Sequence, residues 1–296
     1  MGLFHKDTSG IRLTVSALTD VGKTRQHNED RYLVADLSSK ESARDGLERD
    51  YVLGPKGALL LVADGMGGAL AGEVASQMAT DLILESLAAG WVADPDSTPE
   101  GFARHVRDSI ERANAQIHHR SMTQPELDGM GTTATLVGVL GTNLLISQVG
   151  DSRAYLVREG VATQVSRDQS YVQHLIDTGR VSEQEARQMA SDNVILQALG
   201  PQPTVEVVQT WEPVRRDDVV LLCSDGLSGL VGAEEIGQVV ARGQNLSRAS
   251  KRLVKLANSR GGPDNITVII ARMGGDGMAS AAEPAGGWTP GEPAAP

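Results

Sequence analysis

Only one cysteine, Cys223, occurs in 296 residues, which excludes an internal disulfide framework and any zinc site built on cysteine. It also excludes a phosphatase with a cysteine nucleophile, which needs an arginine six positions later; Gly229 stands there. Aromatic residues make up 3% of the chain, and Trp91, Trp211 and Trp288 form no spaced array for stacking bases. Cations are outnumbered, with 27 Lys and Arg against 38 Asp and Glu, so the net charge is −11 and the chain repels phosphate backbones. No nucleic-acid partner is expected. Long apolar runs are missing too: Ala58 to Ala63 and Val219 to Cys223 fall far short of the roughly 20 residues that cross a bilayer. The N-terminus has no basic stretch leading into an apolar one, so the expectation is a cytoplasmic protein with no signal peptide and no membrane insertion.

A chain of this length suits one large core. The expected layout is an N-terminal extension over residues 1–10, a catalytic body over 11–273, and a disordered Gly/Ala/Pro-rich tail over 274–296. Strand signals fall at Ile11 to Leu18, Arg31 to Ala35, Ala58 to Ala63, Thr132 to Leu140, Leu144 to Val149, Ala154 to Val157, Val219 to Cys223 and Ile266 to Ala271. Ser38 to Lys56 reads as a long surface loop. Helical stripes run through Val74, Met78 and Leu82, through Phe102, Val106, Ile110, Ala113 and Ile117, and through Leu246, Ala249, Leu253 and Leu256. Strands joined by short turns, with helices arriving in pairs, predict an α+β domain of mostly antiparallel sheets covered by helices. Gln169 to Leu199 reads as an insertion over the sheet ends.

Four carboxylates stand at strand ends or in Gly-flanked turns: Asp30 in NED, Asp64 in VADGMGG, Asp225 in CSDG and Asp264 in PDN. An isolated Asp-Gly pair is ordinarily a turn former. Two parallel cases, LLLVADG and VLLCSDG, with a third carboxylate heading the strand ITVIIA, suggest instead acids carried to one edge of a packed core. Such a cluster repels itself unless a cation neutralises it. All-oxygen ligands select Mg²⁺, Mn²⁺ or Ca²⁺ over zinc. Arg25 precedes the NED carboxylates and suits a phosphate dianion, although a surface arginine in a polar loop is the bland alternative.

These blocks resemble the metal-dependent serine/threonine phosphatases of the protein phosphatase 2C type, in their bacterial form. The matching stretches are Asp20-Val-Gly through Arg25 to Asn28-Glu-Asp, Val62-Ala-Asp-Gly-Met-Gly-Gly with Ala71-Gly-Glu, and Gly129-Met-Gly-Thr-Thr-Ala. They continue with Val149-Gly-Asp-Ser-Arg-Ala-Tyr, Cys223-Ser-Asp-Gly-Leu and Gly262-Pro-Asp-Asn-Ile-Thr-Val, covering about Ile11 to Arg272. The resemblance implies a four-layer α/β/β/α sandwich of two mainly antiparallel sheets flanked by helix pairs, with residues 169–199 as a flap. It implies that Asp30, Asp64, Asp225 and Asp264, with the backbone carbonyl of Gly65, hold two Mg²⁺ or Mn²⁺ ions, Asp64 bridging them. Glu29 would position metal-held water, Arg25 would bind the substrate phosphate, and Asp128 with Asp225 would hold a weaker third ion. Asp151 is expected to be structural, pairing with backbone or with Arg153.

Phosphate monoesters would then be hydrolysed by a metal-activated bridging water. The implied partners are phosphorylated proteins, including a Ser/Thr protein kinase that the enzyme opposes, acting as a monomer. The chain departs from the family where many members have a histidine after the Asp-Gly motif: Met66 stands there, so no side chain is assigned as general acid. The usual Asp-His-Ser before the flap is Asp168-Gln169-Ser170, and the common His-Pro is absent around Met189 and Ala190. His27, His118 and His119 are expected to be exposed polar residues. Two other readings stay open: a narrow-specificity phosphatase of an anti-sigma-factor antagonist, and a silent phosphoprotein-binding module.

Overall fold

The structure is a computed structural model that describes residues 10–44, 47–67, 70–182, 185, 194–243, 245–276 and 278–279. Residues 1–9 of the N-terminal extension, the flap positions Met189 and Ala190, Trp288 and all the tail beyond Ala279 lie outside the described residues.

Two six-stranded sheets form the centre. The first has the order β11-β10-β13-β14-β1-β4, from β1 (Arg12–Asp20), β4 (Leu47–Val52), β10 (Arg153–Arg158), β11 (Val161–Gln164), β13 (Val219–Cys223) and β14 (Ile266–Gly274). The second has the order β12-β9-β8-β5-β2-β3, from β2 (Arg31–Asp36), β3 (Glu41–Ala43), β5 (Ala58–Ala63), β8 (Ala134–Leu140), β9 (Asn143–Val149) and β12 (Val208–Pro213). Every pairing within them is antiparallel. A short ribbon pairs β6 (Gly65–Met66) with β7 (Gly131–Thr132).

Helices α1 (Ala71–Ala89) and α2 (Pro99–Thr123) cover the outer face of the second sheet. A short α3 (Tyr171–Asp177) lies in the insertion, and α4 (Asp225–Ser228), α5 (Ala233–Arg242) and α6 (Leu246–Ser259) cover the first sheet. The apolar residues accordingly divide into three slabs, one between the sheets and one under each helical layer. Central strands buried on both faces carry unbroken apolar runs: all six residues of β5 and all five of β13 are buried. Those two runs deliver Asp64 and Asp225 to the strand ends.

The α+β four-layer expectation agrees with this architecture, and three details differ. Ser38 to Lys56 is not one loop: it contains β3 and β4, edge strands whose charged, half-exposed sequences ESA and LERDYV lack a strand's usual apolar content. The core stripe of α1 is Ala75, Ala79, Ile83 and Leu87, one position round from Val74, Met78 and Leu82, which are only partly buried. Met278, assigned from sequence to the tail, is 4% exposed in the inter-sheet core, and the Ala279 carbonyl accepts from the Arg216 amide at 2.9 Å.

Candidate active site

Because β2 and β5 are antiparallel neighbours, with Arg31 opposite Ala63, Asp30 and Asp64 flank the same end of the second sheet. Antiparallel β13 and β14 likewise put Asp225 and Asp264 at one end of the first sheet. Strand β5 faces β13 and β14 across the sandwich, so all four carboxylates meet at one end. Their charges register one another. Asp30 is pushed up to about 7, by burial first and by Asp225 and Asp264 after the opposing hydroxyls of Thr267 and Ser224. Asp64 is pushed well up by burial, then by Asp30, Asp225, Asp151 and Asp264. Asp225 is also raised, by desolvation and by Asp264. Water reaches the Asp225 side chain, so repulsion is the firmer cause there.

Each carboxylate is fixed by neighbours from its own motif or a distant one. Ser224 Oγ donates to Asp30 Oδ2 at 2.7 Å, while Asp30 Oδ1 is buried without a hydrogen-bond partner. Thr133 Oγ1 accepts from the Asp64 amide at 3.0 Å, and the Asp64 carbonyl accepts from the Thr133 amide at 2.9 Å and from Thr132 Oγ1 at 3.0 Å. The Gly-Thr-Thr-Ala block thus holds the backbone of Asp64.

The two Asp-Gly glycines are not positive-φ turn residues; both are close-approach positions. A Cβ on Gly226 would lie 1.9 Å from the Asn265 carbonyl oxygen, and one on Gly65 would lie 2.2 Å from the Gly72 carbonyl oxygen. Gly72 itself leaves room for Glu29, since a Cβ there would meet Glu29 Oε2 at 2.2 Å.

The loop with Arg25 and Glu29 is closed by a residue that the sequence reading missed. Asn265, buried at 4% exposure, accepts the Glu29 amide on Oδ1 at 2.8 Å and donates through Nδ2 to the carbonyls of Val21 (3.0 Å) and His27 (2.9 Å). Ser76 Oγ of α1 donates to the Glu29 carbonyl at 2.6 Å. The Glu29 carboxyl is raised, by burial first and against the pull of Arg25. Arg25 is half-exposed and pairs with Asp264, Nη2 to Oδ2 at 2.8 Å.

Asp128 stands apart. It is exposed on the turn before β7, and among the described residues no hydrogen bond or ion pair joins it to Asp225. Asp151 is nearer than expected: it is buried and lifted to about 7 by burial and by Asp225. The Arg153 guanidinium is clamped on Asp168, at 2.7 to 3.1 Å, and its charge pulls Asp151 down against that rise. Gln169, where the family commonly has histidine, accepts the Gly150 amide on Oε1 at 2.8 Å and donates to the Glu206 carbonyl at 2.9 Å, fastening the insertion to the Gly-Asp-Ser-Arg turn. His118 is half-buried with Nδ1 2.7 Å from the Gly200 carbonyl, whereas His27 and His119 are exposed. Cys223 is fully buried and its thiol is pushed up to about 12 by burial, as befits an inert core residue.

Among the described residues no three His, Cys, Asp or Glu side chains are yet drawn closely enough together to hold one ion.

The profile of the family Protein phosphatase 2C matches residues 36–259. The chain is 34% identical over 253 residues to the serine/threonine phosphatase stp of Listeria innocua, covering 85% of this chain and 92% of that protein. It is 38% identical over 213 residues to the serine/threonine protein phosphatase PstP of Mycobacterium tuberculosis, covering 72% of this chain and 40% of that longer protein. Its structure superposes on the catalytic domain of PstP, solved in complex with two manganese ions, with a TM-score of 0.70 at 33% identity over 89% of this chain and 99% of that one. The ordered sequence blocks, the paired antiparallel sheets and these matches agree, and the chain belongs to the protein phosphatase 2C family of serine/threonine phosphatases.

Proposed function

We propose that the chain removes phosphate from phosphoserine and phosphothreonine of proteins, using two Mg²⁺ or Mn²⁺ ions held by Asp30, Asp64, Asp225, Asp264 and the carbonyl of Gly65. The observation that carries this reading is the meeting of four carboxylates from both sheets at one end of the sandwich, with Asp30 Oδ1 buried and unpartnered. An all-oxygen donor set that is destabilised by its own charge fits hard divalent cations. When bound, those ions supply an activated water and neutralise the phosphoryl oxygens.

The protein residues do the rest. Arg25, once Asp264 is neutralised by a cation, turns its guanidinium to the substrate phosphate. Glu29, held by Asn265, Ser76 and the space at Gly72, orients water beside Asp30. Asp128, exposed on the turn before β7, would hold a weaker third ion together with Asp225. Met66 stands where many members of the family carry a histidine, so no side chain is assigned as general acid, and the leaving alkoxide would take its proton from metal-held water or from another residue. All four carboxylates are present, which speaks against a silent binding module.

The proposed setting is a cytoplasmic monomer with residues 11–273 as catalytic body and 169–199 as flap, opposing a Ser/Thr protein kinase, without nucleic-acid partners or membrane insertion. Among the described residues no helix is long and apolar enough to cross a membrane.

The first test is turnover of p-nitrophenyl phosphate with Mn²⁺. Activity that survives chelation would contradict the reading. Arg25→Ala separates phosphate binding from metal binding. A charge-assisted hydrogen bond contributes about 1.5–3 kcal/mol, so KM for a phosphopeptide should rise roughly 10- to 100-fold while the Mn²⁺-induced rise in melting temperature stays as in the native chain. An unchanged KM would remove Arg25 from the phosphate site.

A further inference from the structure

Helix α6 is unlike the rest of this acidic chain. Arg248, Lys251, Arg252 and Lys255 are all exposed, and the helix contains no acidic residue. Their spacing of i, i+3, i+4 and i+7 makes one stripe along a single face. The opposite face, with Leu246, Ala249, Leu253 and Ala257, is buried against the first sheet. Among the described residues none of the four cations is in an ion pair. Glu235 of α5 is committed to Arg260 by two hydrogen bonds of 2.7 and 2.8 Å and feels Arg252 only at longer range, and Glu48 of β4 accepts from Asn245 at the N-cap of α6 at 3.2 Å. The long helices of the other layer have no such face. Helix α1 contains no Lys or Arg, and its Glu73 and Asp81 pair with Arg31 of β2 and Arg44 just after β3, while in α2 the arginines alternate with Glu100, Asp108 and Glu111.

The stripe also leads to the catalytic end. Past the cap at Arg260 the chain runs directly into Asp264, and the Gly262 carbonyl accepts the amide of exposed Lys23 at 2.7 Å. Asn258 of α6 donates to Asp20 at 3.1 Å, tying the helix end to the loop that carries Lys23 and Arg25. Exposed cations therefore continue from α6 through Lys23 to Arg25, which is itself paired with Asp264, in a molecule whose net charge is −11.

We propose that the exposed face of α6 is a docking surface for an acidic segment of the phosphoprotein substrate, engaged while its phosphoresidue occupies the catalytic end. This rests on the phosphatase reading above. Charge complementarity selects the occupant, and a phosphate-bearing chain already anchored at Arg25 is pre-positioned to lay Asp and Glu side chains along the stripe. An anionic membrane fits less well: the apolar face of α6 is buried, so nothing remains to insert, and the acidic body opposes approach. With a helical rise of about 1.5 Å and an extended chain at roughly 3.3 Å per residue, the acidic residues belong about five to eight positions from the phosphoresidue.

The test uses two phosphothreonine peptides, alike except for four Glu or four Gln at that spacing. The native chain should show a kcat/KM about tenfold higher for the Glu peptide at low salt, as several exposed charge pairs together allow, and the advantage should vanish at high salt. In the variant Arg248→Gln, Lys251→Gln, Arg252→Gln, Lys255→Gln the two peptides should be equal, with p-nitrophenyl phosphate turnover unchanged. A lighter variant, Lys251→Glu with Lys255→Glu, should turn the preference against the Glu peptide. Equal peptides with the native chain, or a preference that persists in the variants, would overturn the proposal. So would a variant that loses only its binding to phosphatidylglycerol vesicles, since the stripe would then be a membrane contact. Fluorescence anisotropy of an unphosphorylated Glu peptide on metal-free protein decides docking without turnover, so failure of the phosphatase reading and failure of this one are separable.

Discussion

Asp64→Asn is expected to lower phosphatase turnover by at least about 10³-fold, because on the proposed reading one change removes a ligand shared by both ions from a charge-stabilising site. Its stability should move the other way. Asp64 is raised by burial and by four neighbouring carboxylates, and it hydrogen-bonds Asp225. A carboxyl whose folded pKa lies above the unfolded value of about 3.9 contributes stability that is complete below that pH and is lost as pH rises through the folded pKa. With Asp30 at about 7, metal-free native protein should therefore lose stability between about pH 4 and pH 8. The substituted amide carries no charge and can still donate to Asp225. In chelator at pH 8 the variant should melt several degrees above the native chain, given about 2–4 °C per kcal/mol for a domain of this size. Added Mn²⁺ should reverse the order by stabilising the native chain alone. A variant that melts lower than the native chain in both conditions would mean that Asp64 is structural.

Gly226→Ala is the second large effect. The residue is helical with no positive φ, so alanine is conformationally acceptable there, and the penalty is steric. Its new Cβ would stand 1.9 Å from the Asn265 carbonyl oxygen, a backbone atom that no rotamer change can move. Overpacking of this kind costs about 1–3 kcal/mol. Either the Asp225 strand end or the Asp264-Asn265 turn must shift, and Asn265 also holds the carbonyls of Val21 and His27 and the Glu29 amide. We expect a lower melting temperature together with a roughly 10- to 100-fold weaker Mn²⁺ affinity, the scale seen when groups supporting metal ligands are lost. A melting shift with native Mn²⁺ affinity would show that the packing is remote from the ligands.

Much of this was legible in the chain because the central strands state their burial locally. LLLVA and VVLLC are apolar throughout, and each ends on the carboxylate that it delivers. Edge strands were hidden for the opposite reason: β4 carries three charged residues in succession, Glu48, Arg49 and Asp50, and is ordered by pairing with β1, a partner 30 to 40 positions away. Helix α1 misled by one position since alanines face the sheet, where close approach matters more than bulk, and its larger Val74 and Met78 lie at the margin. At the site, Asp64 and Asp225 could be read from apolar strands that run into Asp-Gly, and Asp30 and Asp264 from the short motifs beside strand starts. Asn265 and Ser224 could not, although they adjoin Asp264 and Asp225, because a buried amide or hydroxyl declares its role only through distant partners. Gln169 is similar: the missing histidine looked like a loss, and the folded chain uses the amide as donor and acceptor at once.

The central claim is that the carboxylates at the sandwich end form a binuclear cation site. Isothermal titration of the metal-free full chain with Mn²⁺, in two buffers of different ionisation heat, tests it most directly. Two ions should bind per chain, protons should be released on binding because burial and mutual repulsion raise Asp30, Asp64 and Asp225 above the ordinary carboxylate range, and binding should be tighter at pH 8 than at pH 6. No Mn²⁺ uptake, or uptake that is unchanged in Asp64→Asn, would contradict it.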